Sequence, residues 1–149
     1  MKLLVLDLLK SLKMRTLKEI NERLLKYKGA ELLYYEGIGY IAWQTTTGEN
    51  IEILFIEVIK SGQGLGHSII QKWATEICVF NKKPYNSVIV WRLKRNEWAG
   101  KFYRSLGFKE TEIDGVYTEP AVLSVINFDT LCKNLSISLN FGKSGYRTH

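Results

Sequence analysis

Three glycines occupy alternate positions in the stretch SGQGLG, residues 61–66, which joins a β-prone run to a run with helical periodicity. Glycine weakens any regular element, so this spacing indicates backbone that bends sharply or approaches another group closely. A flexible loop explains the stretch poorly, because both flanks are predicted to be rigid. Successive N–H groups that converge beside the positive end of a helix would instead bind a pyrophosphate. We call residues 61–66 the glycine loop.

The rest of the chain alternates between helical and strand patterns. Apolar periodicity predicts helices over 3–12, 17–26, 67–81, 97–106 and 128–134, and β-prone runs predict strands over 31–36, 40–46, 51–59, 87–93, 108–113 and 121–126. The main order, α-α-β-β-β-α-β-α-β-β, predicts an α/β fold around a mixed sheet. Its length of 149 residues fits one domain over 1–149, with 135–149 as a C-terminal extension.

Charge is unevenly distributed along the chain. The formal net charge is +6, and Lys and Arg concentrate in residues 1–28 and 82–109. Three explanations stay open for these two basic regions: a polyanionic partner, a phosphorylated cofactor, and plain solubility.

Several classes of protein are disfavoured. Cys78 and Cys132 are far apart in sequence and form no cluster with His67 or His149, so no metal site is expected. Asp7 interrupts the apolar start, no cleavage site follows, and no stretch approaches the roughly 20 apolar residues of a membrane span. We therefore expect a cytoplasmic protein without a membrane partner.

Two common nucleotide-binding motifs fit the glycine loop poorly. A Walker A loop needs a Lys-Ser/Thr pair after its last glycine, where this chain has His67 and Ser68. A Rossmann fingerprint needs its third glycine one place later and an acidic residue about 20 positions on. The stretch 82–86 reads KKPYN instead.

A third interpretation uses more of the chain. SGQGLG resembles the (Gln/Arg)-x-x-Gly-x-(Gly/Ala) loop of the GNAT superfamily of acetyl-CoA-dependent N-acetyltransferases. The stretch NEWAGKFYRSLGF resembles that family's second motif, Asn-x-x-Ala-x-x-Phe-Tyr-x-x-x-Gly-Phe, at Asn96, Ala99, Phe102, Tyr103, Gly107 and Phe108. The resemblance covers residues 1–126 and implies a mostly antiparallel sheet flanked by helices. The chain departs from the family's pattern at Ser61, Val58 and Arg92.

The resemblance also implies where acetyl-CoA binds. The strand before the glycine loop would hold the pantetheine arm through Ile56, Glu57 and Val58, with the Ile56 N–H polarising the thioester carbonyl. The pyrophosphate would lie against the loop and the following helix, with His67 as its neighbour. The implied residues there are Ser61, Gly62, Gln63, Gly64, Leu65, Gly66 and His67.

Tyr103 resembles the family's general acid, whose hydroxyl serves the coenzyme A thiolate. Asn96 is predicted to cap the 97–106 helix and to contact the pantetheine. Glu52 is the preferred general base, because strict alternation along the strand places it on the same face as Ile56 and places Glu57 on the opposite face. Cys78 lies on an apolar helical stripe and is expected in the core.

The two basic regions indicate which ligands and acceptor substrates the chain favours. Residues Arg92, Lys94, Arg95, Lys101 and Arg104 would supply counter-charge for the phosphates of the cofactor. The basic first region disfavours a cationic acceptor and favours an acidic peptide, a phosphorylated amine or aminoacyl-tRNA, although a solvated helix face is the commonest explanation.

The sequence therefore predicts an acyltransferase that moves an acetyl group to a primary amine in a ternary complex. A non-catalytic acyl-CoA sensor and a nucleic-acid-binding protein are the alternatives. The acceptor, a small molecule or a peptide, is not identified by the sequence. The oligomeric state, with a homodimer as one option, and the role of 135–149 also stay open.

Overall fold

Helices and strands alternate through the part of the chain that the computed structural model describes, residues 17–60, 63–80 and 85–137. In chain order they are α1 (Leu17–Leu24), β1 (Glu31–Tyr35), β2 (Gly39–Thr46), β3 (Asn50–Val58), α2 (Leu65–Phe80), β4 (Ser87–Leu93), α3 (Glu97–Ser105), β5 (Lys109–Ile113), β6 (Ala121–Asn127) and α4 (Phe128–Asn134). The predicted order is confirmed from the second helix onward. The helix predicted over 3–12 and the tail 138–149 lie outside the described residues.

The strands form one mixed sheet with the order β1-β2-β3-β4-β6-β5. Only the β3–β4 pair is parallel among the described strands, and the other neighbouring pairs are antiparallel. This confirms the prediction of a mixed, mostly antiparallel sheet. Gly39 begins β2 with φ +152°, and a Cβ at this position would overlap the Glu57 carbonyl. Glycine is therefore required where β2 leaves the first hairpin.

Different helices pack on the two faces of the sheet. On one face, α2 packs its buried stripe, which includes Trp73, against Trp43 and the neighbouring strand residues. On the other face, Ile20 of α1 packs with Tyr40 of β2. Burying each large apolar side chain contributes about 1.5–3 kcal/mol. None of the helices within the described ranges is long and apolar enough to cross a membrane.

The two cysteines meet in the core although they are distant in sequence. Cys78 of α2 and Cys132 of α4 are both buried free thiols, with their sulfur atoms 3.6 Å apart. The predicted core position of Cys78 is confirmed.

Strands β3 and β4 separate toward their carboxyl ends. Their parallel pairing comprises Ile51–Val88, Glu52–Ile89 and Ile53–Val90, although β3 continues to Val58 and β4 to Leu93. On the β2 side, Ala42 pairs with Phe55 while the next residue, Trp43, pairs with Ile53, so Leu54 is an extra residue in β3. Such a β-bulge bends its strand and increases the local twist. A cleft opens where the two strands diverge.

The bulge also corrects one expectation from the sequence. Glu52 pairs with Gln44 and Glu57 pairs with Tyr40. Residues 40 and 44 of β2 share a face, so both carboxylates lie on the face covered by α1. Ile56 pairs with Ile41 and packs against the opposite core, the one that contains α2. The predicted shared face of Glu52 and Ile56 is wrong, because the inserted Leu54 reverses the alternation.

Candidate functional site

A pocket of about 310 Å³ lies between the end of β3, the glycine loop and α3. We call it the loop pocket; its lining residues are Val58, Lys60, Gly64, Leu65, Gly66, His67, Trp98, Lys101 and Phe102. Helix α2 begins here at Leu65, and its first N–H groups have no partners within the helix. Together with the positive end of the helix dipole, these groups form a site suited to an anion.

Gly64 and Gly66 are each favoured as glycine for a different structural reason. Gly64 has φ +70°, in the left-handed region that favours glycine, and no atom lies within 4 Å of where its Cβ would be. Gly66 belongs to the first turn of α2, and a Cβ there would lie 2.9 Å from Cε1 of Phe102. Gly66 thus permits close packing of α2 on α3, a role that the sequence analysis did not predict. Ser61 and Gly62 lie outside the described residues, and Gln63 is exposed.

Two lysines and a histidine line the loop pocket near the start of α2. Lys60 and Lys101 line the loop pocket, and neither forms an ion pair within the described ranges. His67 is exposed in the same pocket, with Nε2 3.2 Å from the Ser105 hydroxyl and its ring edge against Phe102. This position agrees with a phosphate neighbour, and that role of His67 stays a prediction.

Most of the second basic region is neutralised internally. Four of its five predicted counter-charges form ion pairs: Arg92 with Glu110 at 2.7 Å, Lys94 with Glu112 at 3.1 Å, Arg95 with Glu119 at 2.6 Å and Arg104 with Glu110 at 2.8 Å. Lys101 alone of the five lines the loop pocket. The other four are paired with glutamates of β5 and the following loop, so Lys101 is the one of the five whose charge is available in the loop pocket.

Arg92 is buried and organises the loop between β4 and α3. Its guanidinium donates to the carboxylate of Glu110 and, at 3.1 and 3.2 Å, to the carbonyls of Lys94 and Asn96. A Cβ on Gly100 would lie 2.8 Å from Arg92 Cζ, so glycine makes room for this side chain. Partial burial alone would raise the pKa of Glu110, but hydrogen bonds from Arg92 and Arg104 outweigh it and hold that pKa below its ordinary value.

A second cavity, of about 230 Å³, lies where β3 and β4 diverge. We call it the strand cleft; its lining residues are Arg23, Leu54, Phe55, Ile56, Glu57, Val90, Trp91, Arg92, Asn96, Trp98, Ala99, Phe102 and Tyr103. Trp98 and Phe102 line both cavities, so the strand cleft adjoins the loop pocket. Of the predicted site residues, Ile56, Glu57, Asn96 and Tyr103 meet in the strand cleft, whereas Glu52 does not line it.

Tyr103 presents a protonated phenol to the strand cleft. Its side chain is 7% exposed, and its ring packs edge-on against Phe102 and Phe108 with centroid distances of 5.1 and 5.3 Å. The hydroxyl forms no hydrogen bond with a described residue. Burial raises the pKa of Tyr103 above its ordinary value of 10.0, so the group is a hydrogen-bond donor at neutral pH.

Asn96 caps helix α3 as predicted. Its side-chain oxygen accepts a hydrogen bond of 3.2 Å from the Ala99 N–H, which satisfies one of the first N–H groups of the helix. The cap fixes Asn96 at the edge of the strand cleft.

Arg23 reaches the strand cleft from α1, although it was not among the predicted site residues. Its Nη1 donates to the Tyr40 hydroxyl at 3.1 Å and lies 3.9 Å from Glu57 Oε2. The guanidinium carbon lies 3.6 Å from the centroid of the Phe55 ring. Glu52, by contrast, accepts a hydrogen bond of 3.1 Å from Gln44. No motif signals Arg23, because its partners are 17 or more positions away.

The fold and the two adjoining cavities suit a protein that binds an elongated ligand with an anionic end between diverging strands. The family comparison agrees, since the model of the acetyltransferase (GNAT) domain matches residues 10–118. The chain therefore belongs to the GNAT acetyltransferase family, and acetyl-CoA is the cosubstrate that this membership supports. A search of curated proteins found no match.

Solved structures share the fold at low sequence identity. The ribosomal-protein-S18-alanine N-acetyltransferase of Escherichia coli is 18% identical with a TM-score of 0.61, covering 86% of this chain and 90% of that one. A GNAT acetyltransferase from Elizabethkingia anophelis with acetyl-CoA bound is 19% identical with a TM-score of 0.56, covering 74% and 82%. A mutant spermidine N-acetyltransferase from Vibrio cholerae is 13% identical with a TM-score of 0.57, covering 77% and 74%.

Proposed function

We propose that the chain is an N-acetyltransferase that transfers the acetyl group of acetyl-CoA to a primary amine by direct attack in a ternary complex. The observation that carries this proposal is the pair of adjoining cavities. An anion site and two lysines lie in the loop pocket, and a protonated phenol and a carboxylate lie in the strand cleft. This arrangement suits a ligand that is anionic at one end and reactive at the other.

Acetyl-CoA would bind along the open edge of β3. Its pyrophosphate would accept hydrogen bonds from the first N–H groups of α2, with Lys60 and Lys101 supplying counter-charge. Beyond Ile53, β3 has no pairing with β4, so backbone groups of Leu54–Val58 on that edge are available to the pantetheine amides. The acetyl group would then lie in the strand cleft beside Ile56 and Tyr103.

The reaction needs one nucleophilic attack, one proton transfer from the amine and a hydrogen bond to the leaving thiolate. The neutral amine attacks the thioester carbon, the C–N bond forms, and the C–S bond breaks to release the coenzyme A thiolate. The Tyr103 hydroxyl donates a hydrogen bond to that thiolate, and a base takes the proton that the amine nitrogen loses. Because Glu57 lines the strand cleft and Glu52 does not, we propose Glu57 as the base, directly or through water.

Two observations bear on the acceptor and on the alternatives. Similar structures are named for the acetylation of a ribosomal-protein alanine and of spermidine, which supports an amine acceptor here. The internal ion pairs of Arg92, Arg95 and Arg104 leave less free positive charge for a nucleic acid than the sequence suggests.

The test is a thiol-release assay with acetyl-CoA and a panel of amines that includes polyamines, amino acids and peptide N-termini. Glu57→Gln should lower kcat by about 10²-fold or more, the scale of a lost general base. Glu52→Gln makes the same change on the same face of β3 and should alter kcat by less than about threefold. The reverse ranking would assign the base to Glu52. A wild-type protein that binds acetyl-CoA but acetylates no amine would instead indicate a sensor.

A further inference from the structure

Trp98 of α3 is a large aromatic side chain that faces solvent. It is 56% exposed, whereas Trp43 and Trp73 are 5% and 0% exposed and Trp91 is half-buried. The core stripe of α3 consists of Ala99, Gly100 and Tyr103, so packing of the helix does not require an indole at position 98.

The indole is held in a defined orientation despite its exposure. It stacks on Phe102 with the two ring planes within 7° and the centroids 5.8 Å apart. Phe102 in turn fills the space beside Gly66 and touches His67 at the start of α2. A flat apolar surface therefore extends from the anion site of the loop pocket to the Trp98 indole.

We propose that the Trp98 indole is the platform on which the adenine base of acetyl-CoA stacks. This inference rests on the proposed function. In acetyl-CoA one ribose separates the pyrophosphate from the adenine, so a base whose pyrophosphate lies at the α2 N-terminus falls within reach of the same pocket. Trp98 and Gly64 both line that pocket. Aromatic side chains bind bases through their flat faces without requiring specific hydrogen bonds.

Lys101 gives the platform a charged neighbour. It follows Trp98 by three positions, which places the two side chains on one face of α3, and both line the loop pocket. With the base on the indole, the Lys101 ammonium would share the loop pocket with both the pyrophosphate and the phosphorylated ribose. The adenosine end is then recognised by one aromatic plane and one cation.

The experiment compares ligands with and without adenine by calorimetry. Trp98→Leu should raise the Kd of acetyl-CoA about tenfold, a loss of about 1.4 kcal/mol. It should raise the Kd of acetyl-dephospho-CoA equally, since that ligand keeps the adenine and lacks only the 3′-phosphate. The Kd of acetyl-4′-phosphopantetheine, which has no adenine, should stay within about twofold.

Two further variants make the comparison specific. Trp98→Phe retains a flat ring and should restore acetyl-CoA binding to within about threefold of wild type. Phe80→Leu removes another exposed aromatic, 78% exposed at the far end of α2, and should leave all three Kd values unchanged. That position is about 22 Å from the loop pocket.

Fluorescence of the unmutated protein gives a second measurement. Acetyl-CoA should quench the tryptophan emission more strongly than acetyl-4′-phosphopantetheine, which reaches Trp91 and Trp98 in the strand cleft but has no adenine to stack. The inference would be overturned if acetyl-CoA caused no quenching, or if Trp98→Leu raised the Kd values of all three ligands equally. Either result would leave the proposed function intact. Failure of the wild-type protein to bind acetyl-CoA at all would overturn the proposed function itself.

Discussion

Burial determines the chemistry that Tyr103 can perform. An ordinary phenol has a pKa of 10.0, and the apolar surroundings of Phe102 and Phe108 raise the pKa of Tyr103 further. A thiol has a pKa of about 8.5, so full proton transfer from this phenol to the coenzyme A thiolate is uphill. In our proposal Tyr103 therefore donates a strong hydrogen bond to the coenzyme A thiolate. The proton that the amine loses goes to the base.

Tyr103→Phe tests this role with little effect on packing, because it keeps the ring and removes only the hydroxyl. We expect kcat to fall about 10²-fold, or about 2.7 kcal/mol at the transition state, with the Kd of acetyl-CoA nearly unchanged. Because its pKa is raised, Tyr103 should cause no alkaline loss of wild-type activity below about pH 10. Steady-state kinetics measured against pH give the fall in kcat and the alkaline limb of wild-type activity. Unchanged turnover in the variant would assign the hydrogen bond to water or another group.

At the scale of elements, one charged cluster joins β4, α3 and β5. Glu110 of β5 accepts hydrogen bonds from Arg92 of β4 and Arg104 of α3, at 2.7 and 2.8 Å. Through Arg92 the cluster also holds the carbonyl of Asn96, the cap of α3. The position of α3 thus depends on an ion-pair network whose central residue, Arg92, also lines the strand cleft.

Glu110→Gln should destabilise the fold at neutral pH by about 1–3 kcal/mol, because it removes the nearest counter-charge of the buried Arg92 and leaves only Glu97, at 3.9 Å. The pKa of Glu110 is lowered in the folded state, so its contribution is full above the unfolded value of about 4.5 and is lost as pH falls through the folded value. The difference between wild type and variant should therefore shrink below about pH 4.5. Urea denaturation at several pH values measures it.

Glu119→Gln is the matched control for that experiment. It breaks the exposed pair with Arg95 and should change stability much less. A difference between wild type and Glu110→Gln that persists undiminished in acid would show that the network does not act through charge.

At the scale of the whole molecule, the proposed acetyl-CoA site combines β3, the start of α2 and α3. A ligand that contacts all three binds only the folded chain. At a ligand concentration 100 times Kd it would add about 2.7 kcal/mol, which for a chain of this size raises Tm by roughly 5–10 °C. Thermal unfolding with and without acetyl-CoA measures this shift.

Gly64→Val should abolish the shift by placing a branched side chain where the pyrophosphate approaches. The same substitution at Gly29 is a matched control. Gly29 has φ +78°, close to the +70° of Gly64, and its Cβ site is equally open, so both variants carry similar backbone strain. Gly29 lines neither cavity. A Gly64→Val protein that keeps the full shift would remove the glycine loop from the binding site.

Local patterns in the sequence were enough to predict the element order, the start of α2 near the glycine loop and the Asn96 cap. Each of these depends on residues within about four positions of one another, where periodicity and capping act directly. The burial of Tyr103 on α3, by contrast, was not predicted from the sequence.

Tertiary structure decided which face of its strand each residue occupies and which charged residues form ion pairs. The pairing of β2 with β3 shows Leu54 as an inserted residue, which puts Glu57 on the same face as Glu52. Only Glu57 lines the strand cleft, because β3 is still paired with β4 at Glu52 and has left it before Glu57. The approach of β5 pairs Glu110 with Arg92, and the packing of α1 places Arg23 beside Glu57. Each outcome depends on contacts between residues distant in sequence, because strand register and ion pairing are set by whichever elements become neighbours in space.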